Sequence, residues 1–362
     1  MAYDQWFQKF TSEPKFKENI VKSIEKTGAP LEFRSGKKLT QMGYYCTHGY
    51  YSDKENDEEI SREIDLVAHK KFLEVNTSYG LKIFVNLKII ADCKFNPEMD
   101  LLVFRLEDEV RPNTSVRFPV FTNGTTPIYR ILENTMMVED CRKLFDIPEV
   151  SRRIVDVKYQ SGQELKRLDK KIEIESNLFH FSEQVLSALI HYFNRDLLFV
   201  KQCYERVYET YLRSIEEQKL KAITTPPIMD KVIDETAEVF NVGFLNREFL
   251  TVNVFIPIVI VSENTGLLNV IQNASNSYII DDLQEIKWCM YLYAPSRPIK
   301  YSEILEKRYE QPIIICNAKY LEECINKIEI AINDLIKEME NNLNRHQGRI
   351  VQEILKIIHH IQ

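Results

Sequence analysis

Residues 60–94 read ISREIDLVAHKKFLEVNTSYGLKIFVNLKIIADCK, and both ends of this stretch alternate. At its start, Ile60, Ile64, Leu66 and Ala68 fall on one side of an extended chain, with Ser61, Glu63, Asp65 and His69 on the other. At its end, Leu81, Val85, Leu87, Ile89, Ala91 and Cys93 share a side, with Lys82, Asn86, Lys88, Asp92 and Lys94 opposite. Period two sustained in this way predicts two strands, each with one face in a core and one polar face. Asp65, Asp92 and Lys94 all stand on the polar faces.

Upstream, APLEFRSGKKLTQMG (residues 29–43) has Pro30 at a first helical position, an apolar stripe of Leu31, Leu39 and Met42, and Gly43 just past the end. That pattern predicts a short helix. The aromatic run YYCTHGYY (44–51) is β-prone, and SDKENDEE (52–59) reads as a polar turn. Downstream, DLLVFRLED from Asp100 predicts a further strand.

Two carboxylates projecting from adjacent strands can hold a hard divalent cation through oxygen ligands, as Mg²⁺ requires. Asp92 and Lys94 are two residues apart, so an extended chain points both to the same side. The Lys94 ammonium can then orient an attacking water or share its proton, while the cation stabilises charge growing on a phosphate. Cys93 points into the core, which leaves its backbone carbonyl as a further ligand. Glu32, on the helix before the strands, can supply a third carboxylate. The plainer alternative for Asp65 and Lys94 is a cross-strand salt bridge on a solvated face. For Glu32 it is an acid in the first turn of a helix, which the helix dipole favours whatever its function.

A helix with Glu32, a strand with REIDLVA, a long strand ending IIADCK and a further strand LLVFRL together resemble the PD-(D/E)xK nuclease superfamily over residues 15–107. The resemblance implies an α/β, restriction-endonuclease-like mixed sheet flanked by helices, here followed by a large, mainly helical plus strand C-terminal region. It implies Mg²⁺-dependent (or Mn²⁺-dependent) hydrolysis of phosphodiester bonds, of DNA ahead of RNA, in restriction, repair or phage defence. By the match, Asp65 takes the place of the first motif's Asp, and Asp92 and Lys94 those of the acid and Lys of the second. Glu32 takes that of the acid on the preceding helix. The implied catalytic set is therefore Asp65, Asp92, Lys94 and Glu32, with Asp65, Asp92, the Cys93 carbonyl and Glu32 around the metal. Two positions depart from the pattern: Ile64 replaces the motif's Pro, and Asp92 stands where Glu is commoner. The competing expectation is a non-catalytic nucleic-acid-binding or scaffold subunit with a degenerate nuclease fold.

At 362 residues the chain exceeds what one core usually supports. The expected divisions are a nuclease core over 1–110, a mainly helical region over 111–230, and strands plus a long C-terminal helix over 231–362. The last unit either completes the core or serves a substrate or a partner subunit. A long helix is expected over about Ser182 to Ala222, and strands at VNVFIPIVIV (252–261), IKWCMYLYA (286–294) and PIIIC (312–316). Pro257 inside the first of these predicts an edge strand or a bulge. Ile325, Ile328, Ile332, Leu335 and Met339 alternate by three and four, a heptad stripe. It is expected to pack against the 182–222 helix, with a homodimer seam as the competitor.

Lys plus Arg number 47 against 54 Asp plus Glu, a net charge of −7, which excludes a globally basic nucleic-acid binder. Between Arg142 and Lys171, nine cations face five acids, so Arg152, Arg153, Arg167 and Lys170 are candidates for phosphate contacts. The seven cysteines are scattered without a C-x-x-C pair, which argues against a disulfide framework or a zinc knuckle. The longest apolar run, Val254 to Val261, is far short of the ~20 residues that span a bilayer. With no secretory signal visible at the start, the expected location is the cytoplasm, with no membrane partner. Glu63, His69, His359 and His360 read as incidental, and no P-loop, nucleophile elbow or dinucleotide fingerprint occurs.

Overall fold

The computed structural model describes residues 15–55, 58–76, 82–95, 99–106, 120–124, 158–159, 161–168, 171–177, 182–196, 250–272, 278–279, 285–293, 311–334 and 336–337. Helices α1 (Phe16–Glu25) and α2 (Ala29–Gln41) lead into strands β1 (Tyr45–Glu55), β2 (Glu58–Asn76), β3 (Lys82–Lys94) and β4 (Met99–Leu106). Strands β5 (Val120–Gly124), β6 (Lys158–Tyr159), β7 (Ser161–Leu168) and β8 (Lys171–Asn177) precede helix α3 (residues 182–196). Then come β9 (Leu250–Val261), β10 (Leu267–Gln272), β11 (Tyr278–Ile279), β12 (Trp288–Tyr293) and β13 (Gln311–Asn317), and a short 3₁₀ turn leads into helix α4 (residues 321–334).

Local signals set the ends of α2. Pro lies in its first turn, where a missing N–H costs nothing, and Gly43 past its end has φ 87°, a left-handed conformation that side chains other than glycine resist. Leu31 and Leu39 are buried on one face of it.

The main sheet runs β1-β2-β3-β9-β13-β12-β6, with β5 paired to β9 off this path. β1, β2 and β3 are antiparallel neighbours, whereas β9 lies parallel to both β3 and β13. The architecture is α/β with a mixed sheet. Side chains of β3 and β9 alternate between two cores. Val85, Leu87, Ile89, Ala91, Val254, Ile256, Ile258 and Ile260 meet α2 through Leu31 and Leu39, and α4 through Ile325, Ile328 and Ile332. Ile90, Phe255, Val259 and Val261 meet α3 through Val185, Leu186, Leu189 and Phe193, together with Leu101 and Val103 of β4. Strands covered on both faces are apolar throughout, as the run Val254–Val261 is. A second sheet has the order β11-β10-β4-β7-β8.

Several expectations change. β4 belongs to the second sheet, so the neighbour of β3 is β9, from the far side of the chain. Strands β5 to β8 lie within the region expected to be mainly helical, and the described part of the expected 182–222 helix ends at 196. The chain after 231 supplies β9, β12 and β13 to the sheet that holds β1 to β3. Pro257 sits inside β9, opposite Ile90, and not at an edge or bulge. Ser262 N–H points toward β3, so by alternation the Pro257 nitrogen points to the other edge. There β5 stops at Val254 and β13 starts at Ile258, and no ladder bond is lost. The stripe Ile325, Ile328 and Ile332 packs on the sheet face opposite α3, so α4 and α3 are separated by the sheet. Leu335 and Met339 lie outside what is described of the side chains. No helix among the described residues is long and apolar enough to cross a membrane.

Candidate metal centre

Between β1 and β2 the register shifts: Thr47 pairs with Val67, but Gly49 pairs with Ile64. The extra residue on β2 makes a bulge at Asp65 and Leu66, which turns the alternation over. Ile64 and Val67 therefore enter the core under α3, whereas Leu66 and Ala68 enter the one under α2, although the sequence pattern placed Ile64 with the latter pair. The β2–β3 ladder stops at Leu66 and Ala91. One step on, the Asp65 carboxylate takes over, and its Oδ2 accepts the Cys93 backbone N–H at 2.6 Å. In an extended strand the N–H and C=O of one residue point to the same edge, so the Cys93 carbonyl also faces the Asp65 side.

Asp92 projects to the α3 side of β3. This face is not solvated as expected: Asp92 is 1% exposed, and Lys94, 25% exposed, places Nζ 2.7 Å from Asp92 Oδ2. That approach lies outside the angles of a directed hydrogen bond, so the oxygen has an ionic neighbour without a well-aimed donor. The carboxyls of Asp65 and Asp92 are within hydrogen-bonding reach of each other. The Asp92 carboxyl is raised to about 7: burial raises it most, the Lys94 ammonium works against this, and Asp65 adds to the rise. Cys93 lies on the opposite face in the core, as expected, where burial and then the two acids hold its thiol far above its ordinary value.

The cover over Asp92 comes from α3. Gln184 Oε1 accepts from Lys94 Nζ at 3.1 Å, and Gln184 Nε2 donates to the Glu63 carbonyl at 3.3 Å. Farther along the helix, Asp196 pairs with Lys88, and the Tyr192 hydroxyl donates to the Tyr50 carbonyl at 3.4 Å. Glu32 of α2 is half-buried. Its carboxyl is raised by burial and then by Asp65, lowered by His48, raised by Glu63 and lowered by Lys94, so it stands within electrostatic reach of the pair. Gln184 and His48 were not singled out from sequence. Nothing in the spacing of α3 marks Gln184, and His48 becomes notable only because it lies opposite the β2 bulge.

Asp65 and Asp92 thus form a pair of neighbouring carboxyls, close enough for Asp65 to raise Asp92, with the Cys93 carbonyl turned to the same side. Among the described residues no group of three or more His, Cys, Asp or Glu side chains is placed to hold a metal ion, so Glu32 is near the pair without completing such a set. His69 meets the Tyr45 ring at a tilt, ring centroids 4.9 Å apart, four residues along β2 from Asp65. Arg167 lies in β7, opposite Ile172, while Arg152, Arg153 and Lys170 lie outside the described residues, as do His359 and His360. Comparison with protein-family models finds no match, and neither curated proteins nor solved structures yield one.

Proposed function

We propose that the chain is a metal-dependent nuclease with a restriction-endonuclease-like core, hydrolysing phosphodiester bonds of DNA ahead of RNA in the cytoplasm. The observation that carries this reading is the meeting of two acids from adjacent strands, Asp65 on the Cys93 N–H at 2.6 Å and the buried Asp92, with Lys94 2.7 Å from Asp92. Two neighbouring acids repel when both are ionised, and a divalent cation is a partner that relieves this. The residues present fit Mg²⁺ or Mn²⁺: Asp65, Asp92 and the Cys93 carbonyl would hold it, all through oxygen. When bound, such a cation supplies neutralisation of a phosphate and acidification of a water. Lys94 donates to the attacking water and orients it beside Asp92. Glu32 adds negative charge from α2, and Arg152, Arg153, Arg167 and Lys170 are the proposed phosphate contacts. A protein partner subunit or a second copy remains part of the proposal for residues beyond 110.

The second reading, a non-catalytic nucleic-acid-binding or scaffold subunit with a degenerate site, draws on Asp92 being 1% exposed and already paired with Lys94. Purified protein incubated with plasmid, linear DNA and RNA, with Mg²⁺ or Mn²⁺ and with EDTA, separates the two. Cleavage that needs the cation and is lost in Asp92→Asn and Lys94→Ala supports the nuclease. Binding without cleavage supports the scaffold.

A further inference from the structure

We propose that Gln184 is a positioning residue that fixes the Lys94 ammonium against Asp92, and that it makes α3 a working part of the site. The inference rests on the nuclease reading for its consequence in catalysis, but its geometry stands apart from it.

The orientation of the Gln184 amide is dictated by its two partners. The Glu63 carbonyl can only accept, so Nε2 must face it at 3.3 Å. Lys94 can only donate, so Oε1 must face Nζ at 3.1 Å. A flipped amide would set donor against donor and acceptor against acceptor, so the side chain has one state. It joins the two strands that carry the acids: the Glu63 carbonyl is two residues before Asp65 on β2, and Lys94 is two residues after Asp92 on β3. A lysine has four rotatable bonds and a compact charge that any nearby acceptor can draw away. Glu32 is such an acceptor within electrostatic reach. Held by both Asp92 at 2.7 Å and Gln184 at 3.1 Å, the ammonium is confined beside the acid pair. The helix that delivers Gln184 is itself anchored, through Val185, Leu186, Leu189 and Phe193, in the core shared with β3 and β9.

The test reads Lys94 directly. Full-length wild type, Gln184→Ala and Gln184→Glu are pulse-labelled with an amine-acylating reagent, and modification at Lys94 is measured by peptide mass spectrometry against exposed Lys319. Gln184→Ala is expected to raise the Lys94 to Lys319 ratio about three- to tenfold, the equilibrium weight of one hydrogen bond. Gln184→Glu keeps an acceptor for the ammonium while losing the donor to the Glu63 carbonyl, and is expected to label Lys94 no more than wild type. A purely structural role would lower the melting temperature and raise labelling at many lysines together, and that outcome, or an unchanged ratio in Gln184→Ala, overturns the proposal. In cleavage assays with Mg²⁺, Gln184→Ala is expected to lose about 10- to 100-fold in kcat, the usual cost of removing a supporting partner, with KM little changed. A loss confined to KM overturns the positioning role. Absence of cleavage by wild type overturns the nuclease reading alone, because the labelling ratio decides the placement of Lys94 without any turnover.

Discussion

The Asp65 carboxylate accepts the Cys93 backbone N–H at 2.6 Å and so completes the β2–β3 ladder one step past Leu66 and Ala91 with a side chain. A bulge at Asp65 and Leu66 removes the backbone acceptor at that step, and the acid replaces it. The same residue therefore closes the sheet and faces Asp92.

That double duty separates two variants. Asp65→Ala leaves the Cys93 N–H without its acceptor and is expected to cost about 1–3 kcal/mol in urea unfolding. Asp65→Asn keeps an acceptor oxygen and should unfold close to wild type while, on the proposed nuclease reading, losing cation-dependent cleavage. Equal destabilisation by both would show that the N–H is satisfied in some other way.

Asp92 makes stability depend on pH in an unusual direction for an acid. Its folded-state carboxyl is raised to about 7, by burial first, against the pull of Lys94 and with help from Asp65. The unfolded chain releases this proton near its ordinary value of about 4, so between the two values the folded state binds more protons. Stability from this group is present below the unfolded value and is lost as pH rises to about 7. Thermal melts across that window should show wild type losing ground to Asp92→Asn. Added Mn²⁺ should restore wild type at pH ~8 more than at pH ~6, since the ion competes with the proton, and should do nothing for Asp92→Asn. A difference between the two proteins that is flat with pH contradicts the assignment.

Gly49 sits where β1 meets the β2 bulge, and a Cβ there would collide with the Tyr192 hydroxyl and with the Cγ2 methyls of Val67 and Ile64. Gly49→Ala is expected to cost about 1–3 kcal/mol by overpacking. Combining it with Tyr192→Phe should recover part of the loss, because one of the three collisions is removed. Strict additivity in denaturant unfolding would show that Tyr192 does not press on this strand.

Asn317 is buried, and its Nδ2 donates to the carbonyls of Ser262, Glu263 and Thr265 at 3.2, 3.3 and 2.8 Å, while Oδ1 accepts from the Lys319 N–H at 2.9 Å. It ties the turn after β9 to the short 3₁₀ turn that leads into α4. Asn317→Ala should cost about 1–3 kcal/mol, and Asn317→Asp at least as much, since a carboxylate would face three carbonyls. Calorimetry of both variants checks the order.

What sequence reveals here is what is local. Pro30 and Gly43 bracket α2 because a first-turn proline and a left-handed glycine act within a few residues, and Leu87, Ile89 and Ala91 announce β3 by period two. The bulge at Asp65 is invisible because Ile64, Leu66 and Ala68 mimic unbroken alternation, and only the partner strand shows the slip. Lys88, Asp92 and Lys94 read as a wet face because their partners Asp196 and Gln184 lie some ninety residues or more away. The insertion of β9 beside β3 is a pairing between distant segments, and apolar patterning says which strands are central without saying which are neighbours.

That pairing sets a clock on synthesis. β3 is finished at Lys94, but the strand that flanks it begins at Leu250, so until then its outer edge has no lasting neighbour. At roughly 5–20 residues per second a ribosome needs roughly 8–30 s to cover that interval. Throughout it, Asp92 lacks the floor of β9 and, for the first part, the roof of α3. The acid pair is therefore a late product of translation, assembled only after most of the chain has been made.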